Sequence, residues 1–157
     1  MSVMNSAATL TRRQVLTIAS GAALVGLTSR ILPAHADAAA TQALIKERLG
    51  DKPLQEGRIK LQLPQIAENG NTVPLSFAVE SPMTAEDYVK SVHLFAEDNP
   101  LPGVATFNFT PRSGKAEAST RIRLAKTQNV IAVAEMSDGS VYIAKNLVKV
   151  TMGGCSG

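Results

Sequence analysis

Cys155 is the only cysteine of this 157-residue chain, and it lies third from the C-terminus in the segment VTMGGCSG. A cysteine thiol is partly ionised near neutral pH and is nucleophilic toward sulfur and other soft electrophiles. Glycine loses more backbone entropy on ordering than any other residue, so the sequence predicts a flexible arm over residues 152–157. Extended from the last predicted strand, this arm reaches about 15–18 Å. The residues that flank the thiol in it are Gly153, Gly154, Ser156 and Gly157.

A slender arm with one nucleophilic atom is suited to carrying covalent cargo into a narrow channel of another protein, because glycine adds no side-chain bulk. Outside the cytoplasm an exposed thiol meets oxidants, so mixed disulfides, persulfides and thiosulfonates are its expected products. Two other uses stay open. One is an exported β-sandwich interaction module whose tail thiol forms an intermolecular disulfide. The other is a thiol oxidoreductase, although the chain contains no second cysteine to act as a resolving thiol.

Other catalytic or metal-binding residues are hard to find. Apart from His35 near the N-terminus, His93 is the only histidine, so a cysteine–histidine pair would have to use it. His93 lies inside a predicted strand, and no acid stands at a fixed spacing to orient its ring, which favours a role on the sheet face. So few cysteine and histidine residues cannot form a thiolate or imidazole metal site, and motifs for haem or nucleotide binding are absent. We expect no catalytic residue, no metal and no cofactor other than a sulfur adduct on Cys155.

Residues 1–36 have the features of an export signal that is removed. Arg12 and Arg13 precede a moderately apolar run, which is the twin-arginine form of such a signal. The small-residue triplet AHA that ends at Ala36 fits a signal peptidase site, so we expect cleavage before Asp37 and a periplasmic location. A transmembrane anchor is the alternative, but the apolar run is far shorter than the ~20 residues that a spanning helix needs.

Removal of this segment changes the charge of the protein. The full chain has a formal charge of +3, from 16 Lys and Arg against 13 Asp and Glu. Residues 1–36 contain three arginines and no acidic residue, which leaves 13 basic against 13 acidic residues and no net charge. A neutral protein without a basic run gives no reason to expect nucleic acid or an anionic membrane as a partner.

The remaining chain predicts one helix followed by strands. Residues 37–49 predict a short N-terminal helix, in which Ala39, Ala43, Leu44 and Leu49 recur near helical spacing before Gly50. From residue 53 onward, apolar and polar residues alternate in segments that are separated by turn residues, such as Asn69-Gly70 and the hairpin signal Asp138-Gly139. These segments predict about seven strands and an all-β sandwich over residues 37–151. The strands are RIKLQL, LSFAVE, DYVKSVHLFAE, VATFNFT, AEASTRIRLA, NVIAVAEM and VYIAKNLVKV.

Four segments, taken in order and together with the terminal cysteine, resemble the SoxY family, the sulfur-carrying subunit of SoxYZ in periplasmic thiosulfate oxidation. They are IAENGNTVPL, SPMTAEDYVKSVHLFAEDNPLPGVATFNFTP, TRIRLAKTQNVIAVAEMSDGS and VKVTMGGC. The resemblance covers most of the chain after residue 36. It implies an immunoglobulin-like β-sandwich that forms a heterodimer with a second sandwich subunit, SoxZ, and it implies that Cys155 is the point of sulfur attachment.

The resemblance also implies a covalent carrier that acts with partner enzymes and is not itself an enzyme. In that family the haem-containing cytochrome SoxAX joins thiosulfate oxidatively to the cysteine as an S-thiosulfonate. The hydrolase SoxB then releases sulfate, and SoxCD, where present, oxidises the remaining sulfur. SoxZ carries no export signal there, which would explain an export route for folded proteins.

The arm differs from the family pattern at one position. The family's arm ends in Gly-Gly-Cys-Gly-Gly, whereas this chain has Ser156 after the cysteine. Serine adds a side chain and makes a positive φ costly. A partner enzyme whose channel requires either the missing side chain or the positive φ of glycine would therefore turn over more slowly with this arm.

Overall fold

Residues 38–154, which the structure describes, form an all-β sandwich with one N-terminal helix in the computed structural model, as the sequence predicts. The helix precedes nine strands, and a short 3-10 helix at Pro111–Ser113 lies between the sixth and seventh. The elements are α1 Ala38–Leu49, β1 Leu54–Gln55, β2 Ile59–Gln62, β3 Ile66–Asn69, β4 Val73–Val79, β5 Val89–Ala96, β6 Gly103–Asn108, β7 Ala116–Ile122, β8 Gln128–Met136 and β9 Val141–Met152.

The strands form two sheets. The larger has the order β1-β9-β8-β5-β6, with β3 also paired to β9, and the smaller has the order β2-β4-β7. Neighbouring strands are antiparallel except β1 and β3, which both run parallel to β9. The last strand is therefore bordered by β8 on one side and by β1 and β3 on the other.

The main core lies between the two sheets. Strand β4 alternates buried and partly exposed residues, as a strand with one core face must. Its buried members Val73, Leu75, Phe77 and Val79 share one hydrophobic cluster with residues of β5, β8 and β9. Removing each such side chain from water stabilises the fold by about 1.5–3 kcal/mol.

Helix α1 covers the outer face of the larger sheet and gives strand β8 a second buried face. The buried helix residues are Thr41, Ile45 and Leu49, which are spaced by four and so lie on one side of the helix. Ile45 and Leu49 pack in a second cluster with Phe95, Ile131, Val133 and Val141.

Helix α1 ends where the sequence predicts, but only some of its predicted core residues are buried. Leu49 is buried as expected, but Ala39 and Ala43 are exposed, because they fall outside the side marked by Thr41 and Ile45. The stop at Gly50 is confirmed: its φ is 77°, and its N–H donates to the carbonyl of Lys46 at 2.8 Å.

All seven predicted strands are present, and β1 and β3 are added to them. The hairpin at Asp138-Gly139 joins β8 to β9, with Gly139 at φ 85°. Within residues 38–154, no helix has the length and hydrophobicity that crossing a membrane requires.

Candidate functional site

Strand β9 leads the chain to the predicted arm, and its final residues are held on both sides. Toward β8 its pairing ends at Val148 opposite Gln128. Beyond that point β9 pairs with β3 on its opposite edge, with Ala67 opposite Val150 and Asn69 opposite Met152. The Val150 N–H also donates to the hydroxyl of Thr127 at 2.9 Å. The strand is therefore ordered up to the residue that precedes the two glycines.

Gly153 and Gly154 lie against the sandwich backbone. The N–H of Gly154 donates to the carbonyl of Leu124 at 2.9 Å, and the N–H of Leu124 donates to the carbonyl of Gly70 at 2.8 Å. The N–H of Gly70 in turn donates to the carbonyl of Met152 at 2.7 Å. We call the backbone groups of Gly70, Leu124 and Ala125 that receive Gly153 and Gly154 the glycine seat.

The glycine seat has no room for side chains at three positions. A Cβ on Gly153 would collide with the carbonyl oxygen of Ala125, and one on Gly154 would collide with the backbone of Gly70 and Asn71. A Cβ on Gly70 would collide with the carbonyl oxygen of Leu124. All the colliding atoms belong to backbone, which cannot move aside as the end of a side chain can. Glycine is therefore required at these positions for close approach.

The loop that carries Leu124 is fixed from behind by a buried amide. Asn99 is 7% exposed; its Nδ2 donates to the carbonyl of Arg123 at 2.8 Å, and its Oδ1 accepts from the N–H of Ala125 at 2.9 Å. The same Oδ1 accepts a second hydrogen bond from Nε2 of the buried Gln128, at 2.8 Å. Asn99 thus binds the backbone on both sides of Leu124.

The predicted site residues divide into two groups. Gly153 and Gly154 are described, and the structure places them in the glycine seat, whereas the sequence predicts a flexible arm from residue 152 onward. The mobility of residues 152–157 stays a prediction, but motion from residue 152 onward would have to break the hydrogen bonds of the seat. The remaining predicted residues lie outside the described part of the chain: Arg12, Arg13, Ala36, Asp37, Cys155, Ser156 and Gly157.

His93 is distant from this end of the molecule. His93 of β5 lies opposite Val133 of β8, and Val133 lies opposite Ile143 of β9. The strand from Ile143 to Met152 extends for about 30 Å. The imidazole therefore cannot act as a base for the thiol that follows Gly154.

The surroundings of His93 are those of a residue on a covered sheet face. Its two ring nitrogens contact the hydroxyls of Ser91 at 3.1 Å and Thr106 at 3.0 Å, and the ring stacks on Phe95. Burial, and secondarily the charge of Arg48, lowers the pKa of His93, against a smaller raising effect of Glu135. The ring is thus neutral near pH 7.

One ion pair lies on the larger sheet near the middle of β9, at Lys145. Glu97, just after β5, accepts hydrogen bonds from Asn129 at 2.6 Å and from Lys145 at 3.0 Å. Burial alone would raise the pKa of Glu97, but the two hydrogen bonds and the lysine charge outweigh it and lower that pKa. Residues 38–154 contain no group of three or more His, Cys, Asp or Glu that could hold a metal ion.

Comparison with known proteins gives one match to a family model and several to solved structures. The model described as sulfur oxidation protein SoxY matches residues 45–155. The chain is similar to the sulfur carrier protein SoxY from Chlorobium limicola f thiosulfatophilum, with a TM-score of 0.63 and 36% identity over 74% of this chain and 100% of that one. No curated protein matches the chain significantly.

Two further solved structures are similar in fold. Superoxide reductase (neelaredoxin) from Ignicoccus hospitalis has a TM-score of 0.53 and 16% identity over 60% of this chain and 80% of that one. Superoxide reductase from Nanoarchaeum equitans has a TM-score of 0.52 and 11% identity over 61% of this chain and 100% of that one. At such low identities these likenesses concern the sandwich fold alone.

Proposed function

Because the chain belongs to the SoxY family of sulfur oxidation proteins, we propose that it is a periplasmic sulfur carrier that holds thiosulfate-derived sulfur covalently on Cys155. The observation that carries the proposal is the extent of the family match, which runs from residue 45 to residue 155 and so includes the cysteine. The order of β9 up to Met152 supports it, since the strand delivers the cysteine to one end of the sandwich. In this role the protein is a covalent substrate carrier and not an enzyme.

The loading step joins the Cys155 thiol to thiosulfate. A sulfur–sulfur bond forms between Sγ and the outer sulfur of thiosulfate, the thiol proton goes to solvent, and two electrons leave the pair. The electrons pass to a haem cytochrome, the role that the SoxAX partner has in this family. The product is the anionic cysteine S-thiosulfonate.

The unloading step is a hydrolysis and needs no oxidant. Water attacks the terminal sulfonate sulfur, the bond between that sulfur and the middle sulfur breaks, and sulfate leaves with release of two protons. Cys155 keeps the middle sulfur as the persulfide anion. We assign this step to SoxB and the oxidation of the persulfide sulfur, where the enzyme is present, to SoxCD.

We further propose that the protein works as a heterodimer with SoxZ and is exported by the twin-arginine route that Arg12 and Arg13 indicate. Export of a folded protein would carry a signal-less SoxZ along. Replacing both arginines with lysine should leave the chain in the cytoplasm. Cell fractionation followed by immunoblotting measures this, and periplasmic protein at the wild-type level would contradict the export route.

The carrier function is tested by intact-mass spectrometry of the mature protein with SoxZ, after incubation with thiosulfate, SoxAX and an electron acceptor. We expect the thiosulfonate adduct on the wild-type chain and no adduct on Cys155→Ala, because no other thiol is present. The matched control is Ser156→Gly, which leaves the nucleophile in place and should keep the adduct.

A Cys155→Ala variant that still acquires sulfur, or still supports reconstituted thiosulfate oxidation, would contradict the proposal. The interaction-module alternative gives a different result. It predicts a dimer that reductant abolishes, and no sulfur adduct under any loading condition.

A further inference from the structure

The glycines before the cysteine are not required for their backbone conformation. Gly70, Gly153 and Gly154 have ordinary φ values, whereas Gly50, Gly57, Gly114 and Gly139 have positive ones. Positive φ is the property that usually demands glycine. The first three residues differ from the others in the space around them, since each lies too close to backbone atoms to carry a Cβ.

The contacts of the glycine seat join three segments that are distant in the sequence. Gly70 lies in the turn after β3, Leu124 in the loop after β7, and Gly154 after β9. A series of three backbone hydrogen bonds connects Met152 to Gly70, Gly70 to Leu124, and Leu124 to Gly154. Each residue of the series both donates and accepts except at the ends, so displacing one residue disturbs its neighbours.

Asn99 determines where the central member of this series lies. Its side chain binds the carbonyl before Leu124 and the N–H after it, at 2.8 and 2.9 Å. Its position is fixed in turn by Gln128, which is 2% exposed and also accepts from the N–H of Asp98 at 2.8 Å. Because the amide is buried, its replacement leaves backbone groups of residues 123 and 125 without these partners.

We infer that Gly153 and Gly154 dock the tail into the glycine seat, that Asn99 is the positioning residue of this seat, and that Cys155 therefore leaves the sandwich from a fixed point. The inference adds to the proposed function by stating how the thiol is presented, and its geometry does not depend on sulfur chemistry. The point of departure lies beside the turn at residues 69–71 and the loop at residues 124–126.

Docking shortens the reach of the thiol. The Cα of Cys155 is one peptide unit, about 3.8 Å, from that of Gly154. A seated tail therefore keeps the sulfur within a few ångströms of the sandwich, compared with about 15–18 Å for an arm that is free from Val150. An enzyme acting on the seated thiol must contact the residues around the seat, and one with a deep channel must first release the two glycines.

Replacing Gly154 with alanine separates docking from intrinsic flexibility, because the two interpretations predict changes of opposite sign. If glycine serves flexibility, alanine stiffens the tail or leaves it unchanged. If glycine serves docking, the Cβ expels the tail from the seat and the tail becomes more mobile. The measurement is ¹⁵N relaxation of the backbone amides of residues 153–157 in the mature chain, without thiosulfate or partner enzymes.

We expect lower order parameters for residues 154–157 in both Gly154→Ala and Gly153→Ala. The matched control is Gly157→Ala, the same chemical change beyond the cysteine, which should leave the amide of Gly154 as ordered as in the wild type. Order parameters that stay equal or rise in both seat variants would overturn the inference. They would not affect the test of Cys155 as the sulfur site.

The role of Asn99 is tested by hydrogen exchange of the Gly154 and Leu124 amides, read against the global stability of each variant. Asn99→Ala should speed exchange at these two amides by about tenfold beyond the global change, because the loop loses its hydrogen-bond partners. Asn99→Asp keeps the acceptor for Ala125 and should have a smaller effect.

Asn146→Ala is the matched control for loss of a side-chain amide, since its Nδ2 donates to the carbonyl of Leu61 at 2.8 Å and makes no contact with the seat. It should show no selective effect on Gly154. Exchange at Gly154 that follows only global stability in Asn99→Ala would remove Asn99 as a positioning residue.

Discussion

Gly70 shows how one residue controls the packing of three distant segments. Its carbonyl accepts from Leu124, its N–H donates to Met152, and its missing Cβ leaves room for Gly154. The sequence predicts Gly70 only as part of an Asn-Gly turn. The structure confirms a turn at Gly70-Asn71 and adds the packing role.

We expect Gly70→Ala to lower the free energy of unfolding by about 1–3 kcal/mol, because the added methyl group must push backbone apart. Urea denaturation of the mature protein measures it. Thr72→Ala, at an exposed position in the same connection, is the control and should stay within about 0.5 kcal/mol of the wild type. A Gly70→Ala protein as stable as this control would mean that the segments can move apart without lowering the free energy of unfolding.

Gly153 and Gly154 explain why the site could be predicted only in part. A Gly-Gly pair beside a terminal cysteine indicates flexibility, because glycine has the largest conformational freedom. Close approach of backbones leaves no mark in the composition or spacing of a single sequence. The chemistry of Cys155 could be predicted from residue type, whereas the contacts of its neighbours depend on which loops the fold brings together.

At the scale of elements, the ion pair of Glu97 and Lys145 connects the end of β5 to β9 across the intervening β8. Asn129 of β8 binds the other oxygen of the same carboxylate. The carboxylate is 7% exposed and the lysine 45% exposed, so the interaction is only partly screened by water. All three strands of this part of the sheet are therefore joined by one side chain.

The lowered pKa of Glu97 predicts how stability depends on pH. A carboxyl whose pKa is lower in the folded state stabilises the protein above its ordinary value of 4.5, and this stabilisation is lost as the pH falls through the folded value. The difference in unfolding free energy between the wild type and Glu97→Gln should thus be largest near neutral pH and shrink in acid.

Urea unfolding of both proteins at a series of pH values gives this difference. Glu117→Gln, at an exposed position of β7, is the control for removal of a surface carboxylate, and its unfolding free energy should stay within about 0.5 kcal/mol of the wild type. A Glu97 difference that is constant from neutral pH into acid would contradict the assignment.

The elements themselves were predictable where the alternation of apolar and polar residues was long enough. Strand β4 alternates over seven residues and was recognised, as were the largely apolar nine-residue β8 and the hairpin at Asp138-Gly139. Strand β1 has two residues, too few to show a period, and β3 has the sequence IAEN, in which apolar and polar residues do not alternate as they do in β2; both pair with β9. Helix α1 was recognised, and Leu49 is buried and Leu44 partly buried as expected, but Ala39 and Ala43 are exposed, because alanine is tolerated on either side of a helix.

At the scale of the whole molecule, the sandwich is a common framework, and the proposed role depends on the tail. The likeness in fold to superoxide reductases at 11% to 16% identity illustrates this, since a fold alone does not determine function. The resemblance to SoxY, in contrast, includes the cysteine at the end of the chain.

We expect association with SoxZ to depend on sandwich surfaces and not on a disulfide. The heterodimer should therefore persist in the presence of reductant and with Cys155→Ala, because neither change alters the faces of the sheets. Analytical ultracentrifugation of the purified pair with and without reductant measures this. Dissociation by reductant alone would assign the thiol to assembly and count against a carrier role.

The parallel pairing of β3 with β9 has a mechanical consequence. A partner that draws the cysteine into a channel pulls on the C-terminal end of β9, along the axis of a strand that is bonded to β8 on one side and to β3 on the other. This load shears both ladders, so several hydrogen bonds resist together, whereas a load on an edge hairpin would open them one after another. The seat can thus yield at Gly153 and Gly154 while the sandwich transmits the force without peeling apart.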